Sequence, residues 1–561
     1  MKRTLALLLA CLLCFSFILT ACSSPSNDDV YAGDDISTIP EEDAIKEIGA
    51  LLTKVKVTSV DAPIDISYDD ISEQDALADI NTFPITVKGT GDIDIEIAAG
   101  TEISSDAPDD WMNVLAKRFN NENHEYNGKK VTVSIRQITS GEVVTYMKAG
   151  AYRPDLYVPS NAAWGKMLDA SGIQTTVLCE RLLGNTAGIL ISDKVYDKFI
   201  EKYKDANIKT VVEATINGDL TFAYTNPYTS STGLNMLTMI LKAFDANNPL
   251  SATASSKLIE YQKTAPPTAY TTAVMKNKAA KGIINAMVME EQAYVLTKEL
   301  SSYIYIPQGI RHDHPVFTFD YVTNEKREAA KLFIDYCLTD SSQQLGYDKG
   351  FNRHNDYTGE EPGLDGNGYL EAQALWKQNK NGGKPVIAMF VADTSGSMDG
   401  APLNSLQQSL IATAPYIGSE NYIGLLSYSD NVTINLPIDE FTPTQQAKFT
   451  GAVKSLSANG GTATYDATLQ ALHMMLEKRK EIPDAKLMLF VLTDGAQNRG
   501  VSYSRIRTIV KSLHIPIYTI AYNTASTNDM KELAEMNEAT PIEATTQDVV
   551  NQLRNLFNTQ L

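Results

Sequence analysis

Cysteine is scarce in this chain. Five occur in 561 residues, and two of them, Cys11 and Cys14, sit in an apolar N-terminal run. Cys22 closes that run, so only Cys179 and Cys337 remain, and a disulfide-built scaffold is excluded. These two either pair in an oxidising compartment or stay as buried thiols. Histidine is also sparse, at six scattered residues. Neither HExxH nor GxSxG occurs, so familiar hydrolase signatures are missing. Basic charge is in deficit, with 48 Lys and Arg against 68 Asp and Glu and a formal net charge of −20. That balance disfavours nucleic acid as a partner, and the short clusters Lys129–Lys130 and Lys478–Lys480 read as solvated faces.

What is present begins with an exported leader. Lys2 and Arg3 precede apolar residues from Leu5 to Ala21, the layout of a secretory signal, and this run is shorter than the roughly 20 residues of a membrane span. Leu19, Thr20, Ala21 and Cys22 resemble the lipobox of bacterial lipoproteins. The resemblance implies cleavage after residue 21, acylation of Cys22 and a membrane-anchored, extracytoplasmic protein on the cell surface or in the periplasm.

The length exceeds one core and suggests about three or four units. Residues 22–84 start as the polar tether SSPSNDD. They continue into a helix after Pro40, where Ile45, Ile48, Leu51, Leu52 and Val55 recur at helical spacing. From 85 to 356, strand and helix patterns alternate, the mark of an α/β unit. IDIEIAAG leads through Ser104 and Ser105 to a helix with Trp111, Leu115 and Phe119 on one face. PDLYVPSN ends in a turn with Ser160, and NPYTSSTGLN places Thr229, Ser230, Ser231 and Thr232 at a helix start. Hydroxyls and free N–H groups there suit a small anion or polar solute, and plain capping by Ser and Thr is the alternative. These segments resemble type II solute-binding proteins of ABC transporters, which implies two lobes, a hinge and a ligand cleft. Residues 357–383 have linker composition, with Tyr369–Trp376 read as a spacer helix and a docking helix as the alternative.

From 384 to 561 the runs PVIAMFVA, YIGLLSYS, KLMLFVL and PIYTIAY fit strands buried on both faces of a mainly parallel sheet. Asp393 and Asp494 fall at C-terminal strand ends, where such sheets bind ligands. With Ser395, Ser397 and Thr462 they make an all-oxygen set on three loops, suited to a hard divalent cation and unsuited to zinc. No histidine or spare acid stands near as a base, which argues against a hydrolytic centre. This part resembles a von Willebrand factor A domain, the DxSxS pattern falling on Asp393, Ser395 and Ser397, the family threonine on Thr462 and the family aspartate on Asp494. The resemblance implies a Rossmann-like doubly wound fold, Mg²⁺ (or Mn²⁺ or Ca²⁺) at a metal-ion-dependent adhesion site, and a protein partner whose Asp or Glu completes the coordination. It also implies that movement of the final helix, from Asp548, can switch the site. The sequence therefore reads as a non-enzymatic, metal-dependent adhesion protein with a solute-binding-like module as sensor or scaffold, or alternatively as a transport receptor with the C-terminal domain accessory.

Overall fold

The computed structural model describes residues 36–561 except 68–71, 73, 75, 106–109, 267, 270, 271, 524–526 and 538. The leader, Cys22 and the SSPSNDD tract lie outside the described residues. Residues 39–561 form one unit, and among the described residues it contains three sheets and no helix long and apolar enough to cross a membrane.

The chain enters through α1 (Glu41–Leu52) and a short strand β1 (Val57–Ser59). The latter pairs in parallel with a strand near the far end of the sequence, Val57 beside Val432. The N-terminal segment thus packs on the C-terminal sheet rather than on the module that follows it in sequence. That sheet has seven strands in the order β1, β14 (Val432–Glu440), β13 (Tyr422–Tyr428), β12 (Val386–Asp393), β15 (Lys486–Thr493), β16 (Ile517–Tyr522) and β17 (Pro541–Ala544). Only the β13–β14 pair is antiparallel.

Strand β12 shows why its residues are apolar throughout. Ala388 and Phe390 point into one core with Leu553 and Phe557 of α10 (Val549–Gln560), while Ile387, Met389 and Val391 point into the other with Leu472, Ile506 and the Ala44 and Ile48 of α1. Alternation of side chains across a sheet covered on both faces requires this pattern.

Between these two parts of one sheet lie two α/β lobes. The first has a main path β2 (Ile85–Val87), β4 (Lys129–Gln137), β3 (Ile93–Ala99), β5 (Leu156–Val158), β11 (Val316–Phe319) and β6 (Thr175–Cys179). The second has β10 (Tyr303–Arg311), β7 (Thr186–Ser192), β9 (Ala286–Glu290) and β8 (Phe222–Ala223). The chain crosses between lobes near 180–185 and 312–315, and these crossings bond to each other: Leu182 N donates to Asp313 O (3.1 Å) and His312 N to Asn185 O (3.1 Å). Cys179 and Cys337 are free thiols here, and burial pushes both upward in pKa.

The stretch 357–383, which has linker composition, is better ordered than that composition suggests. It contains α6 (Gly366–Asn379), whose Tyr369 and Trp376 are fully buried. The Trp376 indole donates to the Tyr224 hydroxyl at 2.6 Å and Gln373 Nε2 to Pro227 O at 2.8 Å. It is a docked helix, not a spacer, because Tyr369 packs into the core of the first lobe and Trp376 into that of the second.

Candidate metal centre and interlobe cleft

Three loops converge beyond the C-terminal ends of β12 and β15. The loop after β12 turns at Ser395, whose N–H donates to Asp393 Oδ1 (2.8 Å) and whose hydroxyl lies 3.1 Å from that of Ser397. Ser397 Oγ donates in turn to Asp494 Oδ1 at 2.8 Å. Thr462 is carried on a loop stitched to both neighbours: Gly396 N donates to Gly460 O (3.1 Å), Asn498 N to Thr462 O (3.0 Å), and Thr462 N to Asn498 Oδ1 (2.9 Å). Thus Asp393, Ser395, Ser397 and Asp494 form one hydrogen-bonded chain. Thr462 is held beside it by Asn498 and by the Gly460 contact of its loop.

Asp393 is wholly buried. Burial pushes its carboxyl up, hydrogen bonds from Ser395 and Thr493 pull it down, and the neighbouring Asp494 pushes it up again, for a net rise. Its Oδ2 accepts from Thr493 Oγ1 at 2.8 Å and from the Tyr428 hydroxyl at 3.3 Å. Two carboxylates joined through serine hydroxyls, one of them raising the pKa of the other, fit a hard cation. Among the described residues no group of three or more His, Cys, Asp or Glu could hold a metal, so any cation here relies on the hydroxyl donors.

Between the lobes lies a cavity of about 510 Å³. Two helices aim their N-termini at it: α3 (Ser140–Lys148) from the first lobe and α5 (Ser231–Phe244) from the second. They nearly touch. Gly141 N donates to Thr229 O at 3.4 Å, and a Cβ on Gly141 would stand 1.9 Å from Tyr228 O. No other residue allows that approach.

Of the sequence-predicted solute residues, Ser160, Thr229, Ser230, Ser231 and Thr232 line the cavity. Ser104 and Ser105 do not. The Ser104 hydroxyl donates to the carbonyls of Ala99 (3.1 Å) and Gly100 (2.8 Å), and Ser105 N donates to Asp110 Oδ2 (2.7 Å). Both are absorbed by the turn itself. The second-lobe hydroxyls are largely engaged as well: Ser231 Oγ accepts from the Trp164 indole (2.8 Å), and Ser230 Oγ lies 2.8 Å from Thr232 Oγ1 and 2.7 Å from Thr225 Oγ1.

Sequence reasoning missed three acids of the lining, Glu102, Glu142 and Glu290. Ser160 Oγ donates to Glu102 Oε1 (2.5 Å), which also lies 3.2 Å from His314 Nε2. Burial alone would raise the Glu102 carboxyl, but the hydrogen bond and charge of His314 together with Ser160 hold it at about 2. Burial would lower His314, and Glu102 more than reverses that. His312 Nδ1 lies 2.6 Å from Glu290 Oε1. Both histidines stand in a crossing between lobes, so the acids tie the cleft to the hinge.

It also missed the fourth wall, which comes from the C-terminal helix. Gln552 and Asn555 of α10 line the cavity, and that helix is held against the lobes along its length. Arg554 pairs with Glu142 across 412 positions of sequence. The Tyr146 hydroxyl donates to Asn551 Oδ1 (3.0 Å), and Asn226 Nδ2 donates to Thr559 Oγ1 (3.0 Å). Lys377 of α6 reaches the carbonyls of Tyr416 (2.8 Å), Asn558 (3.2 Å) and Phe557 (3.4 Å). Burial brings the Lys377 pKa down to about 7, and the C-terminal end of α10 supplies two of its three acceptors.

Comparison with known proteins agrees with both parts. Residues 103–352 match the family described as bacterial extracellular solute-binding protein, and residues 389–559 match the von Willebrand factor type A domain. Inter-alpha-trypsin inhibitor heavy chain H3 of Homo sapiens is 28% identical over 167 residues, covering 28% of this chain and 19% of that relative. An uncharacterised protein of Synechocystis is 25% identical over 150 residues, covering 26% of this chain and 34% of its own. The chain therefore spans about a fifth to a third of the length of these relatives. Among solved structures, iron-bound HitA from Pseudomonas aeruginosa is 16% identical with TM-score 0.37, covering 52% of this chain and 99% of that one. A von Willebrand factor type A structure from Catenulispora acidiphila is 16% identical with TM-score 0.29, covering 31% and 42%. The chain joins a module of the bacterial extracellular solute-binding protein family, at 103–352, to a von Willebrand factor type A domain, at 389–559.

Proposed function

We propose that this is a non-catalytic, lipid-anchored extracytoplasmic protein that binds a protein partner in a divalent-metal-dependent way. The observation that carries the reading is the pair Asp393 and Asp494, joined through Ser395 and Ser397, with the charge of Asp494 raising the pKa of the buried Asp393. Asp393, Ser395, Ser397, Thr462 and Asp494 would hold Mg²⁺ or Mn²⁺, which when bound offers a coordination position to an Asp or Glu of the partner. The protein side of the site keeps its own carboxylates fixed: Thr493, Tyr428 and the Ser395 N–H hold Asp393, and Ser397 holds Asp494. Capture of surface proteins by the purified chain is expected to vanish in EDTA, return with Mg²⁺, and be absent in Asp393→Ala. Capture indifferent to both treatments sinks the proposal.

A second reading, solute capture for transport with the C-terminal domain accessory, is favoured by one observation, the interlobe cavity lined by Ser160 and Thr229 to Thr232. A solute at 100 times its Kd adds about 2.7 kcal/mol of stability, readable as a thermal shift; a broad solute panel with no shift counts against it.

A further inference from the structure

The cavity between the lobes has a wall chemistry unlike that of an anion site. Three carboxylates face it, Glu102, Glu142 and Glu290, and its lining contains no Lys or Arg. The groups that hold these acids, His314, Arg554 and His312, stand outside the lining. Glu142 is the most informative. It is 2% exposed, its Oε2 takes the Arg554 guanidinium, and its Oε1 is buried with no hydrogen-bond partner. A buried carboxylate oxygen without a donor is costly. Glu142 also occupies the first turn of α3, so the positive end of that helix already has its anion. The hydroxyls at the start of α5 are spent on one another and on Trp164.

The same cavity is also lined by Gln552 and Asn555 of α10, which belongs to the von Willebrand factor type A domain and whose Arg554 holds Glu142. Resting on the reading of the cleft as a solute site, we infer that it is a composite site for a small ammonium-bearing solute, bound between Glu142 of the first lobe and Asn555 of the C-terminal helix. An N–H donor of positive charge satisfies the unpartnered Glu142 oxygen with a charge-assisted bond, and the chain's net charge of −20 attracts such a solute from a distance. Because the solute touches both modules, its occupancy strengthens the seating of α10 against the lobes, and loosening α10 weakens its binding by the same factor.

The test is calorimetric titration of the full chain with two sets of probes: ethanolamine, putrescine and methylamine in one, sulfate, phosphate and molybdate in the other. At least one ammonium probe is expected to bind, with a Kd at least tenfold weaker in Asn555→Ala and in Glu142→Gln. Asn555 is half-buried on the cavity wall, so its variant keeps the test open should Glu142→Gln unfold. Binding of an oxyanion and of no ammonium probe overturns the inference and leaves the solute-cleft reading standing. Ammonium binding that is unchanged in Asn555→Ala places the ligand away from α10 and overturns it too. Binding of neither set overturns both the inference and the cleft reading.

Discussion

The ion pair of Glu142 and Arg554 is the sharpest test of how the two modules are held together. Its side chains are only 3% and 4% exposed, and Arg554 also lies 5.6 Å from the centroid of the Tyr146 ring. Burial alone would lower the guanidinium pKa, and the Glu142 charge reverses the shift. Removing one partner leaves the other as an unpaired buried charge, which costs about 3–5 kcal/mol, or roughly two to four decades in the docking equilibrium. The intact pair is worth far less than that, because Glu142 Oε1 and Arg554 Nη1 both lack hydrogen-bond partners and desolvation offsets most of the attraction. Arg554→Met is therefore expected to be strongly destabilising, Glu142→Leu likewise, and the double variant to recover most of the loss. Urea unfolding followed by tryptophan fluorescence reads this well, since Trp111, Trp164 and Trp376 all lie in or against the lobes. Single losses below about 1 kcal/mol, or losses that simply add in the double variant, refute the argument.

Other outcomes follow from the same geometry. Asp494→Ala should abolish the heat of Mn²⁺ binding while leaving far-ultraviolet circular dichroism unchanged; retained binding removes Asp494 from the donor set. Glu102 contributes stability that is complete above its ordinary value of 4.5 and drains away as pH falls toward 2, whereas the share of His314 is complete below 6.5 and is lost as pH rises through its raised value. The difference in urea midpoint between wild type and Glu102→Gln should thus be widest from pH 4.5 to 6.5, and a difference flat with pH contradicts the pairing. Trp376→Ala empties a fully buried site and should cost about 3–5 kcal/mol, a loss under 1 kcal/mol showing that α6 is not docked. Gly141→Ala forces α3 away from Tyr228 O; overpacking of about 1–3 kcal/mol and a wider interlobe cavity by small-angle scattering are expected, and an unchanged scattering profile argues against the contact.

The candidate metal donors were legible because their signal is local: a pentad after a buried strand, then one threonine and one aspartate in order. Strand identities were legible for the same reason, since β12 and β15 are apolar on both faces. What escaped is non-local. Nothing in VTS at 57–59 announces a partner at Val432, and nothing in Gln552 or Asn555 announces a cavity built from residues near 140 and 230. Ser104 misled because a serine that bonds its own turn has the same sequence appearance as one held out toward a ligand. The stretch 357–383 misled because glycines and charges at its ends outweighed the two aromatic anchors, Tyr369 and Trp376, that dock it. Glu142 could have been suspected as an acid in the first turn of a helix, but only its buried partner makes it informative.

Strand β1 has a mechanical consequence. The segment of α1 and β1, residues 41–59, joins the same sheet that carries the metal loops, through the rungs between Val57 and Val432 and between Ser59 and Ile434. A pull exerted between that segment and whatever grips Asp393 and Asp494 travels along the ladder β1, β14, β13, β12. The lobes between β1 and β12 in sequence form a side loop off this line of tension, tied back to the sheet through α10.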